Sequence, residues 1–331
     1  MEGSCHAEAG MDAIVPCGPV ALGIVADTPA LRERALAELG PFTSDWTDPR
    51  PLIRVDLHAT GADTAMGEGR FLRCVNTRVD QTSSGLTATC RSGSSGIYDA
   101  ARRHWHLDIR AASGAWPDDY VGDLVELILT TAWREVGWVP LHAGGVAVGR
   151  RCALLLAPTR GGKSTLTVAM LHRGWRTLGD DKMLITIDAD GRPVVRGIIS
   201  DFNLDPRTRT WFPEVGDLER LPRVSESTSK RRVAIGDIWG DCFATRAVPT
   251  HVVVIDRVAE SRPTRIETLG PAEILSALLH QTVVPNDPVA AKAILTVITR
   301  SARNMRGVRF AIGDDAYRDP AAMQALEAAL Q

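Results

Sequence analysis

The eight residues Ala157, Pro158, Thr159, Arg160, Gly161, Gly162, Lys163 and Ser164 are where residue type and spacing in this 331-residue chain prescribe a specific chemistry. They follow an apolar run at 152–156 and precede Leu166, Met170 and Leu171, which recur at helical spacing. A strand, a glycine-bearing loop and a helix make up the order a phosphate cradle needs. Backbone N–H groups of Thr159, Arg160, Gly161, Gly162, Lys163, Ser164 and Thr165 turn toward the phosphates, Lys163 reaches their outer oxygens, and the Ser164 hydroxyl takes Mg²⁺. The expected ligands are therefore ATP and Mg²⁺. The pattern departs from the usual phosphate loop only at its first position, where Ala157 stands in place of glycine.

Asp180 and Asp181 fall where the next apolar strand begins, at 182–187. Phosphoryl transfer to a hydroxyl needs a metal to neutralise phosphate charge and a carboxylate to accept the hydroxyl proton, and two adjacent aspartates could divide those roles. His142 lies in LHAGGVAV, upstream of Lys163. If that strand pairs beside the loop-bearing one, the imidazole can orient or tune an aspartate across the site. Lys230, Arg231 and Arg232 form a cationic run suited to clamping a phosphate or a substrate carboxylate, although a solvated charge run is the plainer reading. The segment 201–211, DFNLDPRTRTW, reads as a surface connection that could shape an acceptor groove. Asp256 ends the strand HVVVID in the manner of a metal-holding carboxylate of ATP-hydrolysing switches, but no acidic residue follows it to polarise water, so it reads as a strand end.

The elements that must position these groups divide the chain in two. Residues 1–113 read as short extended segments separated by turn-rich stretches, with one helical candidate at ALRERALAEL, which makes a small α+β domain with a possible role in substrate recruitment. Residues 114–331 open on a helix after Pro117 and then alternate apolar strands with helices, the outline of an α/β nucleotide-binding domain. In the first of these helices Val121, Leu124, Val125, Ile128 and Leu129 share one face. A formal net charge of −2 provides no global basic field for nucleic acid, and the six scattered cysteines show no metal-binding pairs. Without a targeting segment or a long apolar window, the expectation is a cytoplasmic protein that uses neither nucleic acid nor membrane. Lysine is scarce, only Lys163, Lys182, Lys230 and Lys292, so the positions where it persists merit inspection.

Taken together, LHAGGVAVG, LLLAPTRGGKSTL and LHRGWRTLGDD resemble the catalytic domain of bacterial HPr kinase/phosphorylase and its relatives over residues 142–182. The resemblance implies a P-loop kinase domain whose core is similar to phosphoenolpyruvate carboxykinase, acting on a serine of a protein or peptide. It implies that Lys163 holds phosphates, Ser164 holds Mg²⁺ and Asp180 accepts the proton, with Asp181 and His142 beside it; in the division of roles between the two aspartates, Asp181 is the one expected to join Ser164 at the metal. The N-terminal 113 residues do not match the family's usual N-terminal domain, and its glycine-rich segment for the reverse reaction is missing. The layout looks more like the HPr-kinase-related proteins encoded with ribosomally made peptides, including lasso peptide kinases that phosphorylate the C-terminal serine of a precursor. Relatives of this kind often form homo-oligomers. Two other readings stay open: a P-loop NTPase switch that hydrolyses ATP, and an inactive nucleotide-binding peptide adaptor.

Overall fold

The computed structural model describes residues 10–43, 51–60, 77–90, 93–110, 118–158, 160–198, 201–224, 228–257, 263–285, 287–313 and 315–331. Two compact units emerge, Met1–Trp138 with Pro285–Ala290, and Val139–Val284 with Ala291–Gln331. Among the described residues no helix is long and apolar enough to cross a membrane.

The first unit holds β1 (Ala13–Cys17), β2 (Val20–Ala26), α1 (Pro29–Leu39), β3 (Leu52–Thr60), β4 (Thr77–Gln81), β5 (Gly85–Cys90), β6 (Ser95–Asp99), β7 (His104–Arg110) and α2 (Asp118–Glu135). Its strands form one sheet in the order β1-β2-β3-β7-β6-β5-β4. α1 starts where local chemistry dictates: the Thr28 side chain accepts from the Leu31 N–H, and Pro29 occupies the first turn, where no N–H is needed. α2 buries Leu124, Val125, Ile128, Leu129, Ala132 and Trp133 at helical spacing; the side chain of Val121 lies outside the described residues. The Trp133 indole donates to the Cys17 carbonyl at 2.9 Å, and the Tyr98 hydroxyl donates to Glu135. These contacts correct the boundary expected at 113/114. The composition shift around Pro117 marks a helix start, whereas the division falls after Trp138 because the apolar face of α2 is buried within the first unit.

The second unit contains β8 (Val139–Leu141), β9 (Gly144–Val148), β10 (Arg151–Leu156), α3 (Lys163–His172), β11 (Arg176–Gly179), β12 (Met183–Ile187), β13 (Pro193–Gly197), β14 (Asp201–Leu204) and β15 (Arg231–Ala234). Then come α4 (Gly236–Trp239), β16 (His251–Arg257), β17 (Arg265–Leu269), α5 (Pro271–His280), α6 (Pro288–Arg303, which belongs to this unit from Ala291 on), β18 (Arg306–Ile312) and α7 (Pro320–Ala329). A six-stranded sheet runs β11-β9-β10-β16-β18-β17, with β10, β16 and β18 mutually parallel, and β13-β12-β8 form a second sheet. β10 reads as a continuous apolar run because both of its faces are covered. Ala153 and Leu155 enter one core cluster while Cys152, Leu154 and Leu156 enter another, the alternation a pleated strand imposes.

LHAGGVAV reads as one strand, yet the chain leaves the small sheet after Leu141 and enters the large one at Gly144. His142 sits in that transfer, its backbone N–H donating to the Gln281 carbonyl at 2.8 Å. A close approach fixes β11, the strand that leads into the aspartates: a Cβ on Gly197 would lie 1.4 Å from the Leu178 carbonyl oxygen. Backbone against backbone leaves no rotamer to absorb the clash. Gly197→Ala is therefore expected to destabilise the chain by about 2 kcal/mol or more, read as a lowered urea midpoint, while Gly191→Ala, whose Cβ meets nothing within 4 Å, pays only for its left-handed backbone.

Candidate functional site

The loop after β10 resolves the question raised by Ala157. Left-handed backbone occurs at Arg160 (φ 65°) and Gly162 (φ 100°), not at Ala157, so the first position makes no demand that only glycine meets. The tight approach falls at the other end of the loop, where a Cβ on Gly161 would stand 2.8 Å from the Ala157 Cβ and 2.9 Å from the Pro158 carbonyl oxygen. Gly161 donates its N–H to that carbonyl at 2.8 Å, and α3 then begins, its first intrahelical bond being Leu166 N–H to Gly162 O. The amides of Lys163, Ser164 and Thr165 are thus the orphan donors of a helix N-terminus, suited to an anion. Thr159 lies outside the described residues.

Three elements converge on Lys163. The side chain is buried, 6% exposed as a residue, with its Nζ 2.8 Å from Asp181 Oδ1 and 3.1 Å from His142 Nε2. His142 Nδ1 stands 3.4 Å from the same Asp181 oxygen. Gly144, two residues on from His142, permits this convergence: a Cβ there would meet the Asp180 carbonyl oxygen at 3.1 Å, Thr167 Oγ1 at 3.2 Å and Lys163 Cγ at 3.4 Å. β9 pairs antiparallel with β10, Gly144 opposite Leu155, and β11 pairs with β9 on its other side. The histidine therefore comes from just before β9, the aspartates from just after β11, and the lysine from the start of α3, beyond the loop that follows β10.

The two carboxylates are not equivalent. Asp180 is 2% exposed and lies behind the surface, its Oδ1 3.5 Å from the Thr167 hydroxyl, and it accepts a hydrogen bond from Ser164. Burial pushes its carboxyl up to about 6 and the neighbouring Asp181 charge adds to this, while the Ser164 bond and the ammonium groups of Lys163 and Lys230 pull it down. Asp181 has a side chain 39% exposed and lines the cleft. Partial burial works against its charge, but the Lys163 ammonium, the His142 imidazole, the Lys163 hydrogen bond and Lys182 hold it below the ordinary carboxylate range.

A cleft of about 710 Å³ opens over the loop. Of the residues singled out by sequence, His142, Arg160, Gly161, Gly162, Lys163, Ser164, Thr165, Asp181 and Lys230 line it. Asp180, Arg231 and Arg232 do not. The cationic run divides because Lys230 precedes β15 whereas Arg231 and Arg232 ride that strand opposite Leu204 and Asn203; only Lys230 serves the cleft, which corrects the expected three-residue clamp. Asp256 is occupied elsewhere, 2.6 Å from Arg309, which also meets Glu273 at 3.1 Å. Ile312, Gly313, Tyr317 and Arg318 join the lining from the far end of the chain and carry no local signal in the sequence, and no such signal marks out the individual lining residues within 201–211. Those are Asn203, Asp205, Arg207, Thr208 and Trp211.

A Mg²⁺ ion fits the donors present in one manner. Among the described residues no group of three or more histidine, cysteine, aspartate or glutamate side chains could cage a metal, so an ion at Ser164 would depend on phosphate oxygens and water for most of its ligands, as Mg²⁺ commonly does. The Ser164 hydroxyl donates to Asp180, which leaves its lone pairs available to a cation.

No family model matches the chain, and no curated protein does. Among solved structures the chain is similar to the Hpr(Ser) kinase/phosphatase from Coxiella burnetii, at 11% identity and a TM-score of 0.31, covering 57% of this chain and 97% of that one. A likeness at that level does not establish the family.

The Asp180 environment has a measurable consequence. The folded carboxyl keeps its proton up to about pH 6, whereas the unfolded one releases it near 3.8, so folding stability declines as pH rises between these values and the loss is complete above about 6. At ~1.4 kcal/mol per pH unit the cost of holding the charge is about 3 kcal/mol. Asp180→Asn is expected to raise stability by up to that amount at pH 7.5 and by little near pH 4, as read by urea unfolding at the two pH values.

Proposed function

We propose that the chain is a Mg²⁺-dependent kinase that transfers the γ-phosphoryl group of ATP to a serine hydroxyl of a peptide or small protein, with the C-terminal serine of a ribosomally made, lasso-type precursor as the favoured acceptor. The observation that carries this reading is the meeting of Lys163, Asp181 and His142 within 3.4 Å of one another at the mouth of a glycine-bearing loop. The choice of acceptor rests on the sequence resemblance alone.

In this reading the loop amides and Lys163 bind the phosphates, and Ser164 holds the metal. Mg²⁺ bound there neutralises charge on the outer phosphates. Asp181 accepts the serine proton as the hydroxyl oxygen forms its bond to the γ-phosphorus and the bond to the ADP oxygen breaks. Lys163 holds the Asp181 charge while phosphates are absent; once it turns to them, the carboxylate loses its closest cation and becomes a better base. His142, beside the same Asp181 oxygen, positions that carboxylate. Asp180 orients the Ser164 hydroxyl. This moves the proton from Asp180, where the sequence places it, to Asp181 and leaves the metal to Ser164, because of the two aspartates only Asp181 lines the cleft.

The alternative of a hydrolysing switch needs a free carboxylate at the end of β16, and Asp256 is committed to Arg309. The missing first glycine favours the adaptor reading, but Ala157 sits buried without left-handed backbone.

Incubation of the purified chain with γ-labelled ATP, Mg²⁺ and peptides ending in serine, threonine or alanine tests the proposal. Label is expected on the serine peptide, reduced at least about a hundredfold by Asp181→Asn with nucleotide binding retained, whereas Lys163→Ala weakens both. Full transfer by Asp181→Asn together with loss in Asp180→Asn would return the proton to Asp180. Label released only as free phosphate, and abolished by Asp256→Asn, would favour the switch.

A further inference from the structure

One part of the cleft lining is aromatic and has no role in the transfer chemistry. Trp211 and Tyr317 both line the cleft, their ring centroids 5.4 Å apart and their planes tilted by 55°. The buried Phe212 packs edge-on against Tyr317 at 5.8 Å, which fixes that ring from behind. Tyr317 is also tied to the phosphate loop: its hydroxyl oxygen lies 4.0 Å from where a Cβ on Gly162 would be, with Ile312 at 3.6 Å.

Thr208 is the second observation. It lines the same cleft and is wholly buried, and its hydroxyl has no hydrogen-bond partner among the described residues. Buried hydroxyls in folded proteins are nearly always satisfied, so an unsatisfied one at a cleft marks a place where a ligand's polar edge completes the bond. The neighbouring Asp205 carboxylate is already committed, accepting from the Arg207 backbone and guanidinium at 3.0 and 3.2 Å and from Ser229 at 3.2 Å.

We infer that Trp211, Tyr317 and Thr208 form the subsite for the base of the nucleotide, with the ring packed on the two aromatic side chains and its polar edge bonded to the Thr208 hydroxyl. This rests on the reading of the loop as a phosphate cradle. Stacking accepts any base, since every base has a π-face, and a single hydroxyl can donate or accept; the subsite therefore discriminates weakly, and ATP and GTP bind within a few-fold of each other.

The test compares binding of a non-hydrolysable Mg-ATP analogue with that of Mg-tripolyphosphate, which has the phosphates and no base, to the full chain. Trp211→Ala is expected to weaken the ATP analogue roughly ten- to a hundredfold and tripolyphosphate less than about twofold, with Trp211→Phe retaining most of the affinity. Thr208→Val, which removes the unsatisfied hydroxyl, lowers analogue affinity several-fold while the ligand-free protein melts no lower; it also carries the test if Trp211→Ala fails to fold. Equal weakening of both ligands by Trp211→Ala would overturn the inference in favour of a purely structural wall. Unchanged nucleotide binding with a raised peptide KM would overturn it in favour of an acceptor subsite. If the wild-type chain binds neither ligand, the phosphate-cradle reading itself fails, and tripolyphosphate distinguishes that failure from loss of the base subsite alone.

Discussion

A buried ammonium at the N-terminus of a helix is the constraint on which the rest of the site depends. Lys163 is the first residue of α3, where the helix dipole is positive and a cation is disfavoured, and its side chain is almost wholly removed from water. Such a charge persists only if anions are brought to it. Asp181 supplies one at 2.8 Å, and the orphan amides of the same helical turn leave the place for others. The surrounding architecture follows from that requirement. β11 ends where it does to deliver the aspartates, the chain changes sheets at His142 to bring the imidazole alongside, and Gly144 lacks a side chain because the lysine stem and the Asp180 carbonyl occupy its space.

The same constraint separates two carboxylates that sequence presents as a pair. Adjacent aspartates at a strand end point in different directions, one into the core and one into the cleft, and burial drives their proton affinities apart. Burial pushes the Asp180 carboxyl up to about 6, while Asp181 is held below the ordinary carboxylate range by the lysine it neutralises. Pairs of titratable groups pushed apart by their surroundings are a common basis for dividing acid, base and metal-orienting roles within one site. The hydrogen bond from Ser164 links the buried member to the loop.

Much of this was legible in the chain because the signals are local. The apolar run of β10, the glycines at 161 and 162, and the helical spacing of Leu166, Met170 and Leu171 lie within twenty residues of one another and encode a strand, a turn and a helix directly. The pairing of β9 beside β10, which brings His142 to Lys163, was a conditional expectation that the register satisfies. Three things were not legible. The membership of α2 depends on which surface buries Trp133, a tertiary fact. The split of Lys230 from Arg231 and Arg232 depends on where β15 begins. The aromatic wall unites Trp211 with Tyr317 across more than a hundred positions, and neither ring has a neighbour in sequence that announces a ligand.

The most direct test of the account is a crystal structure of the full chain with a non-hydrolysable ATP analogue and Mg²⁺. The account predicts that the Lys163 ammonium has left Asp181 for the outer phosphate oxygens, with Asp181 facing the acceptor side of the γ-phosphate. A nucleotide bound away from the loop, with Lys163 still paired to Asp181, would contradict it.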